Sequence, residues 1–161
     1  MRMKICVSVL ILLILNVYGC AKPPSIPITE TNTPELLGRW KGTGAAWFGL
    51  DAGQMRNVTV DFLSVAPVQA KIQFHSAPRT RGTVTVGNTG DTVTYGYNGT
   101  IEDGYVTGEV KTTTLTVPIT FGFYEKKDGG IELHGEYRFV RRDDVPVRGD
   151  MVLEKVPQPR R

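Results

Sequence analysis

From residue 55 onward, apolar and polar positions alternate. In residues 115–123, Leu115, Val117, Ile119, Phe121 and Phe123 alternate with Thr116, Pro118, Thr120 and Gly122. In residues 131–139, Ile131, Leu133, Tyr137 and Phe139 share a face with Gly135, while Glu132, His134, Glu136 and Arg138 occupy the other. A period of two sends successive side chains to opposite faces of a strand, so each run predicts an antiparallel strand with one dry and one wet face. Shorter runs repeat the rule: Val58, Val60, Phe62; Ala70, Ile72, Phe74; Val84, Val86; Val93, Tyr95, Tyr97; Val106, Val110; Met151, Leu153. Between them stand Gly87-Asn88-Thr89-Gly90-Asp91, Asn98-Gly99, Asp103-Gly104 and Asp128-Gly129-Gly130. Such pairs supply the positive φ that tight hairpins need. No stretch holds a 3.6-residue period for three turns. One helical turn is predicted near residue 33, with Thr33 as N-cap and Pro34 in the first helical position.

Eight to ten short strands joined by hairpins predict an all-β fold, an antiparallel meander closed into a small β-barrel or sandwich, because an open meander would leave its edges unpaired. Residues 115–123 and 131–139 should be neighbours, joined around residues 127–130. Pro118 has no N–H to give a central ladder, so it predicts an edge, a bulge or a corner. The inward set is rich in aromatics: Trp40, Phe62, Phe74, Tyr95, Tyr97, Phe121, Phe123, Tyr137 and Phe139. These either fill the interior or line a ligand cavity.

The first twenty residues differ in kind. Arg2 and Lys4 precede an apolar run from Ile5 to Leu15, and the segment ends in Val17-Tyr18-Gly19-Cys20. The run is too short for a spanning helix, which needs about 20 apolar residues. A basic start with a short apolar core is the signature of a signal peptide. The segment resembles a bacterial lipoprotein signal peptide with its lipobox, which implies cleavage before Cys20 and a diacylglyceryl group on its sulfur, a lipid anchor with acyl chains such as palmitate. Ala21 after the cysteine resembles the pattern of lipoproteins sent to the outer membrane. The organisation expected is a signal peptide (1–19), a lipidated Cys20 with a proline-rich tether (20–34), a barrel domain (35–156) and a disordered tail (157–161). Residues 21–32 contain three prolines, and a dozen extended residues would reach about 35 Å.

Removal of the signal changes the charge and redox picture. The whole chain has 19 basic and 16 acidic residues, but Arg2 and Lys4 leave, so the remainder is nearly balanced. The sequence pI of about 8.9 is therefore no nucleic-acid signature, which calls for a basic stripe with interleaved aromatics. Cys6 leaves as well, and Cys20 alone cannot form an internal disulfide. An exported domain without disulfides has to be held by its hydrophobic core.

The opening of the domain, Leu36-Leu37-Gly38-Arg39-Trp40-Lys41-Gly42, resembles the G-x-W start of lipocalins and other calycin-type barrels. That resemblance implies a helical turn before the first strand, a tryptophan closing one end of the barrel, and an arginine packed over the indole. By chain order the arginine is Arg148, with Arg138 second. If the interior is a cavity for a small apolar ligand or lipid, the inward aromatics Trp40, Tyr95, Tyr97, Phe121 and Phe123 are its candidate lining, because alternation places them on one face. Trp47-Phe48-Gly49-Leu50 is a candidate contact patch if exposed at the rim.

Chemistry is otherwise scarce. His75 and His134 stand far apart without metal-ligand spacing, so neither a metal site nor a cofactor is expected. No nucleophile elbow, phosphate loop or dinucleotide fingerprint is present. The carboxylate pairs Glu102/Asp103 and Asp143/Asp144 are adjacent in sequence, and on strands neighbours point to opposite faces. No catalytic residue is assigned, and an enzyme is the last choice. The expectation is a lipid-anchored protein of the cell envelope, on the periplasmic face of the outer membrane where there are two membranes. Its barrel either binds a small apolar ligand or, with a filled core, serves as an envelope protein–protein interaction module. Replacing Cys20 with alanine should release the protein from the membrane fraction or leave the unprocessed precursor. Intact-mass analysis of the native protein should find acyl mass on Cys20, and its absence would refute the anchor.

Overall fold

The computed structural model describes residues 26–47, 54–75, 80–81, 84–85, 92–140 and 144–157. Among the described residues, ten strands run in chain order: β1 (Gly38–Ala45), β2 (Met55–Val65), β3 (Val68–His75), β4 (Thr80–Arg81), β5 (Val84–Thr85), β6 (Thr92–Glu102), β7 (Tyr105–Lys111), β8 (Thr116–Glu125), β9 (Ile131–Val140) and β10 (Pro146–Lys155). A 3₁₀ turn, Thr33–Leu36, precedes them. Eight strands close an antiparallel barrel in the order β1-β2-β3-β6-β7-β8-β9-β10, and β10 returns to pair with β1. The two-residue strands β4 and β5 form a separate hairpin within the β3–β6 connection. β8 and β9 are neighbours, with Phe121 opposite Gly135 and Phe123 opposite Leu133. Asp103 (φ 51°) and Gly104 (φ 82°) take the left-handed conformations of the β6–β7 turn. The predicted turn at Asn98-Gly99 is a correction: both residues lie inside β6, opposite Glu109 and Gly108 of β7. The turn read at residues 87–91 lies outside the described residues.

The reason for that correction is how the interior is filled. An eight-stranded barrel is just wide enough for side chains to meet across it, unless some are small enough to leave a ligand space. Here five inward glycines lie beneath large inward side chains. A Cβ on Gly99 or Gly108 would stand 2.8 or 2.7 Å from the Tyr97 oxygen. On Gly135 it would meet Phe121 at 2.6 Å, on Gly149 the Tyr137 oxygen at 2.3 Å, and on Gly44 the Met151 Cγ at 2.4 Å. The rings interlock further: Phe121 lies 5.6 Å from Phe62 and 5.3 Å from Tyr97, both edge-on. Such T-shaped pairs add to the area they bury.

The two ends differ. At the proximal end, where the chain enters, the turns of β2–β3, β6–β7 and β8–β9 gather around Trp40. Its indole N–H donates to the Leu36 carbonyl at 2.8 Å, and its ring lies 6.0 Å from Phe123. A cation does lie over the indole, but it is Lys155, 5.4 Å from the ring centroid, and not Arg148. Lys155 is directly opposite Trp40 on β10, whereas Arg148 belongs to the other end of that strand. Packing also begins before residue 35. The Ile26 N–H reaches the Phe123 carbonyl, the Ile28 N–H reaches that of Gly104 at 2.9 Å, and Ile28 is 2 % exposed. The stretch read as a free tether thus alternates Ile26 and Ile28 into the barrel floor. The N-cap position is Asn32, one residue earlier than predicted, and its side chain makes no capping bond to the turn; instead it accepts from the Thr29 N–H and donates to the Pro27 carbonyl, tying down the entering chain.

Gly135→Ala and Gly149→Ala should each cost about 1–3 kcal/mol, the usual range for overpacking. Gly96→Ala, whose Cβ would meet nothing within 4 Å, should stay within about 0.5 kcal/mol. Urea unfolding of the three variants checks this, and equal effects would mean that the interior is looser than the contacts imply.

Candidate functional site at the distal end

The distal end carries the longer connections, and there the β9–β10 hairpin leaves the barrel. On one side, the pairing of β9 with β8 stops at Tyr137 opposite Ile119. The next β8 residue is Pro118, which pairs with Glu109 of β7 and offers no N–H to Arg138. On the other side, the pairing of β10 with β1 stops at Met151 opposite Gly44, while β10 and β9 stay paired out to Pro146 opposite Val140. The result is a two-stranded ribbon standing clear of its neighbours. The edge expected from Pro118 is found here.

Tyr137 sits where β1 and β10 part. Its hydroxyl lies 3.1 Å from the Ala45 carbonyl and 3.2 Å from that of Ala46, so its single proton serves carbonyls that no longer meet β10. Gly149 makes room for that ring. Released from β10, the chain folds inward and Trp47 closes the distal mouth, 4.6 Å from Phe74, 5.3 Å from Tyr95 and 5.2 Å from Tyr137. Trp47 is 2 % exposed, so it is a plug and no rim contact; Phe48, Gly49 and Leu50 lie outside the described residues. The indole N–H of Trp47 is buried with no hydrogen-bond acceptor among the described residues.

Two charged rows cross the outer face of the ribbon. Arg138 lies directly opposite Arg148, and Glu136 directly opposite Asp150. Like charges placed opposite each other on adjacent strands repel. Neither arginine has a hydrogen bond or ion pair among the described residues, and both are exposed. Both rows line a groove of about 480 Å³ shared with Ala45, Met55 and Gly149. Val140 and Val145, at the hairpin tip, are 62 % and 45 % exposed.

The five residues proposed from sequence as a ligand lining all point inward but do not meet in one place. Trp40 and Phe123 pack together at the proximal end. Tyr97 and Phe121 meet at mid-height, where the Tyr97 hydroxyl lies 3.1 Å from the Ile119 carbonyl. Tyr95, half-buried, belongs to the distal cluster around Trp47. What sequence reading missed is the role of the inward glycines. The signal was present: Tyr97-x-Gly99 and Gly135-x-Tyr137 place a large and a small residue on the same face.

The histidines make cross-strand contacts on the outer wall. His75 lies between the hydroxyls of Thr59 (2.9 Å) and Thr92 (3.1 Å). His134 is 3.0 Å from Glu132 and stacks on Tyr124 at 4.2 Å. Among the described residues, no three of His, Cys, Asp and Glu converge as a metal site. In comparisons with protein-family models, with curated proteins and with solved structures, nothing matches this chain.

Burial, with Asp150 adding to it, pushes the Tyr137 hydroxyl up to about 12 from its ordinary 10.0. A tyrosine raised in the folded state contributes stability that is complete below pH 10 and lost as pH rises toward 12. Tyr137→Phe should cost about 1–3 kcal/mol at pH 8, because two buried carbonyls lose their donor. Between pH 10 and 12 the variant should then lose less further stability than the unaltered protein. Urea midpoints at pH 8 and pH 11 test both parts, and parallel losses would refute the role given to the hydroxyl.

Proposed function

We propose that the chain is a lipid-anchored cell-envelope protein whose filled barrel is a rigid carrier of interaction surfaces, and that it works by docking partner proteins rather than by carrying an apolar ligand inside. The observation that carries this reading is the interlock of large inward side chains with inward glycines: Tyr97 over Gly99 and Gly108, Phe121 over Gly135, Tyr137 over Gly149. A ligand-carrying barrel needs open interior volume and polar groups turned toward the ligand. Here the Tyr97 and Tyr137 hydroxyls are turned to main-chain carbonyls. Anchoring at Cys20 would also orient the molecule. Five residues separate Cys20 from Ile26, a reach of about 20 Å when extended. The Trp40 end would face the bilayer, and the Arg138–Arg148 ribbon would point away from it.

A second reading has one observation in its favour. The buried indole N–H of Trp47 lacks an acceptor among the described residues, and buried donors are nearly always paired. A small ligand bearing a carbonyl and held beside Tyr95 would supply one. Titrating the mature protein with a fluorescent fatty acid, while following tryptophan emission, separates the two readings. The proposal expects no saturable binding, and a loss of about 3–5 kcal/mol in Phe121→Ala, as for an aromatic cut from a packed core. Saturable binding with a shift in tryptophan emission, weakened by Tyr95→Ala, would replace it with the ligand reading.

A further inference from the structure

We propose that the free edge of β10, residues 146–150, is a strand-addition site for an extended segment of a partner protein that carries an acidic side chain opposite Arg148. This rests on the reading of the barrel as an interaction module and names the surface and the chemistry of the partner.

The backbone supplies the first reason. Residues 146–150 pair with β9 on one side, and on the other the ladder with β1 has already ended at Gly44. The last bridge to β1, Gly44 opposite Met151, leaves residues 146–149 beyond it, and no backbone hydrogen bond of the described turns and loops reaches this stretch. A strand edge with open N–H and carbonyl groups is a template for another chain. The groove beside it, bounded by Met55 and Ala45, lies where an added strand would run.

Charge supplies the second reason. Arg138 and Arg148 repel each other across the ribbon, while Glu136 and Asp150 form a row of their own beside them. A segment laid against β10 with a carboxylate facing Arg148 would relieve that repulsion, and the planar guanidinium suits paired hydrogen bonds to a carboxylate. Two residues along the added strand, on the same face, the side chain opposite Asp150 would have to be neutral or basic.

The same arrangement disfavours a second copy as the occupant. Antiparallel self-pairing centred on the free edge sets Arg148 against Arg148 of the other copy. Charges on an edge strand are a common device against such pairing. The partner is therefore a different chain.

The test uses the mature protein and a capped seven-residue peptide that alternates threonine with valine and has one glutamate among the threonine positions. Two counterparts accompany it, one with backbone N-methylation at alternate residues and one with lysine in place of glutamate. Fluorescence anisotropy should find saturable binding of the first peptide and at least tenfold weaker binding of each counterpart. Arg148→Glu, at an exposed position, should not lower the urea midpoint, because it sets an opposite charge against Arg138, and should reverse the preference between the glutamate and lysine peptides. No binding of the glutamate peptide overturns the proposal. So does indifference to N-methylation, which would mean ionic attraction without strand addition. Concentration-dependent dimerisation that strengthens in Arg148→Ala would assign the edge to a second copy and overturn it too. If the peptide fails while the barrel still excludes the fluorescent fatty acid, only the edge assignment falls. Uptake of the fatty acid would instead remove the interaction-module reading.

Discussion

Inside an eight-stranded barrel, side chains from opposite walls compete for one volume, and the structure depends on how large and small residues share it. Around one level the walls read Gly44, Met151, Gly135 and Phe121, strand by strand. Each glycine lies against the bulky group of its neighbour, so that interior packing is close without forcing a strand outward. The Tyr97 hydroxyl lies against the carbonyls of Val106 and Ile119, which lets a polar atom sit in the core without an unsatisfied group. Phe62, Phe121 and Tyr97 then tie β2, β8 and β6 together through their rings.

The ends close by two different devices, both built on tryptophan. At the proximal end, Trp40 is held by the Leu36 carbonyl and covered by Lys155, whose ammonium also donates to the Glu35 carbonyl. The entering chain, with Ile26, Ile28 and Leu36, completes the floor. At the distal end, Trp47 arrives from the continuation of β1, and it can do so only because β1 has let go of β10. The Tyr137–Gly149 pair compensates that separation by giving the released carbonyls a donor. Closure of the mouth and exposure of the β10 edge are thus one event, and the ribbon with its opposed arginines is the outer consequence of an inner plug.

Much of this was legible in sequence, because strand periodicity is local. The alternation in residues 131–139 is sufficient to place Leu133, Gly135 and Tyr137 on one face and His134 and Glu136 on the other, whatever strands lie beside them. The Asp103-Gly104 turn is equally local, since a positive φ at two successive residues is a property of that dipeptide. The arrest at Pro118 follows from a missing N–H.

What only the tertiary structure decided is non-local. Asn98-Gly99 has the chemistry of a turn, yet Gly99 is a strand residue because the Tyr97 ring and Gly108 of β7 occupy the place its side chain would take. Lys155 rather than Arg148 covers Trp40 because register, not order along the chain, sets which residues face each other. The opposition of Arg138 to Arg148 likewise exists only once the hairpin register is set. The sequence by itself determined the strands and their faces, since these depend on neighbours one and two residues away. The fold decided which volumes compensate, which edge stays open and where the charges meet, because those quantities depend on residues brought together across the barrel.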